Sequence, residues 1–235
     1  MSSISGETRL VALLGHPVAE SLSPRMQNAA FGARGLDWAY VACDVAPERV
    51  EEAVRGLAAL DFAGANVTSP HKRAAAAACD EATDEVVNTL VFSSGRVVGF
   101  NTDQAIVAAI ESERVCLIGA GGAADALRPA LRGEVRVFSR RGNWPPNAAG
   151  ADLIVNATPV RDELLVEPEP SQRVVDLAYN VDGRPTALVA AARRAGCPLV
   201  VDGLEALVRQ GAAAFERWTG VPAPVDVMLA AVRSA

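Results

Sequence analysis

Aromatic residues make up only 5% of the 235-residue chain, so its apolar half is carried by Ala, Val and Leu. That is the composition of helices packed on short buried strands. Cysteine is also scarce: Cys43, Cys79, Cys116 and Cys197 stand singly, and histidine adds only His16 and His71. Without a Cys-x-x-Cys pair there is no disulfide framework or zinc site to expect, and all four read as reduced structural thiols; no metal is expected. No run approaches the roughly 18 apolar residues that span a bilayer. The first twenty residues carry no basic stretch followed by an apolar core. A net charge of −6 with no block of Lys or Arg lacks the cationic face that nucleic-acid binding requires. The expectation is a soluble, cytoplasmic α/β protein, monomer or homodimer, with small-molecule partners and neither nucleic acid nor membrane.

What is present is alternation. Residues 8–14 (TRLVALL) form an apolar run closed by Gly15 and Pro17, a buried strand feeding a loop. Ser23-Pro24 opens a helix, with Ser as N-cap and Pro in the first turn. A strand at 38–43 precedes a helix at 47–60, a third strand at 65–67 precedes a helix from Pro70, and 86–91 with 96–100 read as a closing pair of strands. The pattern restarts at 115–118, with later strands at 135–138, 153–155, 174–177 and 199–201 and helices at 186–195, 203–218 and 223–234. The Pro- and Gly-rich stretch 142–150 cannot hold a long helix and reads as a loop. Length permits one large core or two small ones, and alternating units indicate two α/β domains. These are residues 1–103, with 211–235 returning to pack on them, and residues 104–210.

The strand at 115–118 runs into Gly119-Ala120-Gly121-Gly122-Ala123-Ala124 and then a helix. Strand, glycine loop and helix N-terminus are the physical recipe for a pyrophosphate, because glycines let backbone N–H groups approach the phosphates. Ala124 stands where the commoner spacing has a third glycine, and a ligand-free turn is the alternative reading. The next strand ends Phe138-Ser139-Arg140-Arg141. No carboxylate awaits a ribose 2′-hydroxyl there, and the guanidinium groups favour NADP(H), with NAD(H) or two merely solvated arginines as alternatives. Asp125 suits the helix dipole but would repel a phosphate.

In the first half, polar groupings interrupt apolar surroundings: Ser21-Leu22-Ser23-Pro24, Asn66-Val67-Thr68-Ser69-Pro70-His71-Lys72, Val87-Asn88-Thr89-Leu90 and Asn101-Thr102-Asp103. Each falls at a strand end or loop, where open α/β sheets bind ligands. Hydroxyls, amides, one ammonium and one carboxylate describe a pocket for a small polyhydroxylated acid. His71 reads as structural.

The order of these motifs resembles the shikimate dehydrogenase family. Gly15-His16-Pro17, Ser21 to Pro24, Asn28 and Phe31, the run from Asn66 to Lys72, Val87 to Leu90 and Asn101 to Asp103 all fall in the family's order. So do the glycine loop, Asn156-Ala157-Thr158, Asp176, Tyr179-Asn180, Thr186, Asp202-Gly203-Leu204 and Gln210. The resemblance implies an N-terminal substrate-binding sheet, a C-terminal Rossmann-like dinucleotide-binding domain, and an active-site groove between them. It implies NADPH-dependent reduction of 3-dehydroshikimate to shikimate, with Lys72 and Asp103 as the catalytic pair. Ser21, Ser23 and Tyr179 would hold the substrate carboxylate; Asn66, Thr68, Asn88, Asp103 and Gln210 would hold the ring hydroxyls. Cofactor contacts would come from Gly119, Ala120, Gly121, Gly122, Ala123, Ser139, Arg140, Arg141, Asn156, Ala157, Thr158 and Gly203.

The sequence departs from the family's habit at Glu20 and Gln27, where His is common, at Gln104, where Gly is common, and at Ala206, where a Met usually stands and where the cofactor wall should be roomier. A Glu20 carboxylate must turn outward if a carboxylate is to bind nearby. Pro159-Val160-Arg161 and the short 142–150 loop shrink the cofactor domain. The alternatives are an NAD-preferring enzyme acting on quinate or a related cyclohexene carboxylate, and a catalytically silent relative that binds a shikimate-like ligand.

Overall fold

The computed structural model describes residues 4–234, so residues 1–3 and 235 of the two expected domains lie outside the described residues. The chain divides into two compact units. The first holds residues up to Thr102 together with Gln210–Val232, and the second holds Asp103–Arg209 with the residues from Arg233. Asp103 therefore falls with the second unit and Gln210 with the first.

The first unit begins β1 (Arg9–Gly15), α1 (Ser23–Ala33), β2 (Trp38–Asp44), α2 (Val50–Ala59), β3 (Gly64–Val67) and α3 (Lys72–Ala78). It continues with β4 (Glu81–Ala82), β5 (Thr89–Ser93) and β6 (Arg96–Phe100). Its sheet has the order β2-β1-β3-β5-β6-β4. β1 pairs parallel with β2 and β3, whereas β5 runs antiparallel to β3 and β6. Val11, Ala12, Leu13 and Leu14 are all buried, so β1 is covered on both faces and reads as a continuous apolar run with no alternation. Ser94 and Gly95 both take positive φ, the signature of a two-residue hairpin turn, and join β5 to β6.

Local details differ from the sequence reading. Ser23 lies inside α1, and Leu22 is the N-cap; Ser21 Oγ accepts the Ser23 N–H at 3.3 Å and takes the role expected of Ser23. Residues 47–49 form a 3-10 turn ahead of α2. β5 starts at Thr89, not at 86, because the Val87 N–H bonds the Lys72 carbonyl and draws that segment out of the ladder.

The second unit runs β7 (Arg114–Ile118), α4 (Gly122–Leu127), β8 (Glu134–Phe138), β9 (Leu153–Asn156), β10 (Arg173–Asp176), α5 (Ala187–Ala195) and β11 (Val200–Val201). All its strands are parallel, in the order β11-β10-β9-β7-β8. The strand order reverses at β7, which has β8 on one side and β9 on the other, and such a switch point opens a crevice at the strand C-termini. α4 is only six residues long and passes into a 3-10 turn at Pro129, which cannot supply a helical N–H. The buried Gln172 amide bonds the carbonyls of Ala148 and Ala151 and anchors the segment leading to β9. Thr186 caps α5 by accepting the Val189 N–H, and Gly196 ends it with a left-handed φ of 73°.

α6 (Gly203–Thr219) belongs with the second unit as far as Arg209 and with the first from Gln210, and α7 (Val225–Arg233) follows. Among the described residues no helix is long and apolar enough to cross a membrane.

Candidate active site

In the first unit the ends of β1 and β3 meet closely. A Cβ on Gly15 would run into the Thr68 methyl group, which explains the Gly-x-Pro turn at this point. The Thr68 N–H bonds the Leu14 carbonyl at 2.8 Å, and the Thr68 carbonyl accepts the His71 N–H. The His71 ring is buried, with Nε2 2.7 Å from the Val45 carbonyl, so this histidine is structural. Lys72 follows as the first residue of α3, half-buried. It is also the only lysine among 22 basic residues. A simple count would have singled it out, since every other cation of the chain is an arginine.

Ser23, Asn66 and Asn88 are buried and join the half-buried Gln210 in one hydrogen-bonded chain, together with three residues the sequence reading did not assign: Tyr40, Thr89 and Thr102. Tyr40 hydrogen-bonds Ser23 and donates to Asn66 Oδ1 at 2.8 Å. Asn66 Nδ2 donates to the Asn88 carbonyl and to Thr89 Oγ1, both at 3.0 Å. Thr89 and Thr102 hydroxyls lie 2.9 Å apart. Asn88 Oδ1 accepts the Thr102 N–H at 2.7 Å and its hydroxyl at 3.0 Å, while Asn88 Nδ2 donates to Gln210 Oε1 at 3.2 Å. Buried amides in this number persist only when paired. Ser21 and Thr68 are half-buried, Glu20 is exposed, and Gln27 is fully buried, donating to the Gly211 carbonyl.

In the second unit the glycine loop leaves β7 at the switch point. Gly119 takes φ +118°, and a Cβ there would meet the Ala157 carbonyl at 3.0 Å, so this position requires glycine. Gly121 and Gly122 differ: a Cβ on either would meet nothing within 4 Å, which leaves open space over the loop. Ala120 is exposed and Ala123 half-buried. The Gly119 N–H bonds the Phe138 carbonyl, so the end of β8 lies beside the loop. There Ser139 forms a turn with Gly142 and Asn143. Arg140 is exposed, 3.8 Å from Glu163 and stacked on Trp144, whereas the exposed Arg141 makes no ion pair or hydrogen bond among the described residues.

Asn156, Thr158, Asp176 and Thr186 form a second buried network. Asn156 Oδ1 accepts from the Thr158 hydroxyl and N–H, and Nδ2 donates to Asp176 Oδ1 at 2.9 Å. These bonds consume most of the Asn156 amide in tying β9 to β10. Burial pushes the Asp176 carboxyl up to about 6, against bonds from Thr186, Ala178 and Asn156 that favour its charged form; Asp202 adds to the rise. Tyr179 lines a small cleft with Asn180, Thr186 and Gly203. A Cβ on Gly203 would run into the Ala178 carbonyl. Asp103 is buried in a 3-10 turn, Gln104 is half-buried, and Ala206 packs in a hydrophobic cluster with Val175 and Val201.

The second unit's strand order and its glycine loop define the class, an α/β protein with a Rossmann-like dinucleotide-binding sheet. Comparison with known proteins is specific. Residues 13–89 match the shikimate dehydrogenase substrate binding domain and residues 203–233 the shikimate 5′-dehydrogenase C-terminal domain. A shikimate dehydrogenase (NADP(+)) of Methanopyrus kandleri is 39% identical, over 98% of this chain and 97% of that protein. A crystal structure of a shikimate dehydrogenase in complex with NADP+ matches at TM-score 0.88 and 31% identity, covering 99% of this chain and 97% of that one. The Thermus thermophilus enzyme in complex with NADP(H) and shikimate matches at TM-score 0.83 and 33% identity, covering 96% of this chain and 99% of that one. The chain belongs to the shikimate dehydrogenase family.

Proposed function

We propose that the protein is an NADP(H)-dependent shikimate dehydrogenase, reducing 3-dehydroshikimate to shikimate and catalysing the reverse oxidation. The observation that carries this reading is Lys72. A chain that uses arginine at all its other basic positions keeps its one lysine as the first residue of α3, a short turn beyond the end of β3 at Val67. An ammonium can give up its proton during turnover; a guanidinium cannot. In this reading the enzyme works in the cytoplasm on small molecules alone, as a monomer or homodimer.

The first unit binds the substrate. Ser21 and Ser23 donate to its carboxylate, with Tyr179 as a further donor; the exposure of Glu20 keeps a competing carboxylate in water. Asn66, Thr68, Asn88 and Gln210 take the ring hydroxyls. Lys72 stabilises the developing alkoxide and provides its proton, and Asp103 is assigned to the same proton transfer on the family resemblance.

The second unit binds NADP(H), and its residues fit that group. Open space over Gly121 and Gly122 admits a pyrophosphate to the backbone N–H groups at the start of α4. Arg141, which follows β8 and makes no ion pair among the described residues, is assigned to a 2′-phosphate. Bound there, NADP(H) supplies or accepts the hydride.

The test is reduced-nicotinamide absorbance with shikimate, quinate or neither, each with NADP+ and with NAD+. Turnover of shikimate with NADP+ is expected. Preference for quinate or NAD+ would reassign the substrate or cofactor, and silence in every combination would end the reading.

A further inference from the structure

Tyr40 belongs to no motif that drew attention in the sequence, yet it stands at the head of the buried chain that runs to Gln210. Tyr40 is 2% exposed. The backbone on both sides of it is clasped by one residue: Asn28 Oδ1 accepts the Tyr40 N–H at 2.8 Å and Asn28 Nδ2 donates to the Tyr40 carbonyl at 2.9 Å. The ring packs tilted against Trp218, 6.1 Å between centroids, and Trp218 is itself fixed by its bond to the Leu90 carbonyl. The phenol is therefore held at its backbone and its ring face before its hydroxyl does anything.

Donor and acceptor counting fixes the sense of the bonds around Tyr40. Asn66 Nδ2 faces the Asn88 carbonyl, so the amide cannot flip without setting two oxygens against each other. Asn66 Oδ1 must then accept, and the one proton of Tyr40 is committed to it. Tyr40 Oη therefore accepts from Ser23, whose single proton turns to the carboxylate when substrate binds. At the other end, Thr89 Oγ1 accepts from Asn66, and the Thr89 and Thr102 hydroxyls both reach Asn88 Oδ1, at 3.3 and 3.0 Å, as well as each other. Burial pushes the Tyr40 phenol well above its ordinary pKa and keeps it a neutral donor.

Resting on the proposed shikimate dehydrogenase reading, we propose that Tyr40 is a positioning residue for substrate binding, a single buried phenol oxygen that holds the Ser23 hydroxyl and the Asn66 amide in fixed relation. Ser23 is assigned to the carboxylate and Asn66 to a ring hydroxyl, so the distance between those two recognition points is set through Tyr40 Oη. Preorganisation of this kind is read in substrate affinity more than in the chemical step.

The test is Tyr40→Phe, which keeps the ring against Trp218 and removes only the hydroxyl. The expected result is a KM for shikimate raised about tenfold or more, with kcat within about threefold and the KM for NADP+ unchanged. In an Asn66→Ala background the same substitution should add less than it does in the wild type, because one of the two groups that Tyr40 holds is already gone. A lower Tm with an unmoved shikimate KM, or equal rises in both KM values, would overturn the proposal. A second readout does not depend on the variant folding. The chain has only two tyrosines, so 3-fluorotyrosine labelling gives two fluorine resonances. Shikimate should shift the Tyr40 signal and NADP+ alone should not; a Tyr40 signal indifferent to shikimate is a contrary result. Failure of the underlying reading looks different: the wild-type protein would not oxidise shikimate at all.

Discussion

Thr186 Oγ1 lies 2.5 Å from Asp176 Oδ2, and the pair closes the buried network at the ends of β9 and β10. The Asp176 carboxyl rises from 3.8 to about 6 because it is buried. Between these values the folded chain holds a proton that the unfolded chain has lost. Stability linked to that proton is complete below about pH 4 and gone once pH has risen through about 6. Its size is on the order of 3 kcal/mol at most. Denaturant unfolding across this range should show stability from this group falling as pH rises, and Asp176→Asn should flatten that part of the profile. A variant that keeps the wild-type slope would show that Asp176 titrates elsewhere.

Lys72 offers a chemical test as well as a genetic one. Lys72→Ala should lower kcat by at least ~10²-fold with little change in the KM for shikimate, the pattern of a group acting mainly in the transition state. Lys72→Arg should be nearly as damaging, since it restores charge without a proton that can be given up in turnover. Because Lys72 is the sole side-chain amine, acetylation removes one ε-ammonium with its transferable proton, and its extent at that lysine by peptide mass should track the loss of activity. Protection by shikimate is expected. Full activity after complete acetylation would remove Lys72 from the proton transfer.

The strands were legible in the sequence because they are short apolar runs closed by Gly, Pro or polar residues, as at β1 and β7. The glycine loop was legible because pyrophosphate binding leaves a local signature. Tyr40 and Thr102 were not: their bonds to Asn66 and Asn88 join residues 26 and 14 positions apart, and no local pattern reports them. Ser23 shows the limit of local rules, for a Ser-Pro pair reads as cap and first turn, yet here Ser21 accepts the N–H of Ser23 and Ser23 turns its hydroxyl to Tyr40. Arg140 and Arg141 look alike as neighbours in sequence, and only the fold separates them.

Two glycines of the second unit should respond in opposite ways. Gly203→Ala forces a Cβ against the Ala178 carbonyl, an overpacking cost of about 1–3 kcal/mol. Its melting temperature should drop by roughly 2–4 °C per kcal/mol for a chain of this size. Gly121→Ala meets no protein atom and has φ −110°, open to any residue. Its Tm should be unchanged, while the methyl group stands where a phosphate would approach and raises the KM for NADP+ by about tenfold or more. Thermal melts with cofactor titrations separate the two. Loss of Tm in Gly121→Ala, or an unmoved KM for NADP+, would mean the loop is only a turn.

Cofactor choice should rest on Arg141 more than on Arg140. Arg140 already faces Glu163 at 3.8 Å and lies over the Trp144 ring, so a 2′-phosphate would have to compete for it. Arg141 has no such engagement among the described residues. A charge-assisted bond of this kind contributes about 1.5–3 kcal/mol, or roughly 10- to 150-fold in binding. Arg141→Ala should therefore raise the KM for NADP+ by at least about tenfold and leave NAD+ kinetics as they are. Arg140→Ala should have a smaller effect, because removing it also releases Glu163. The quantity to measure is the ratio of kcat/KM for NADP+ to that for NAD+ in the three proteins. A ratio unchanged by Arg141→Ala would place discrimination elsewhere on the cofactor, and a larger fall in Arg140→Ala would mean that its contact with Glu163 is given up when the phosphate binds.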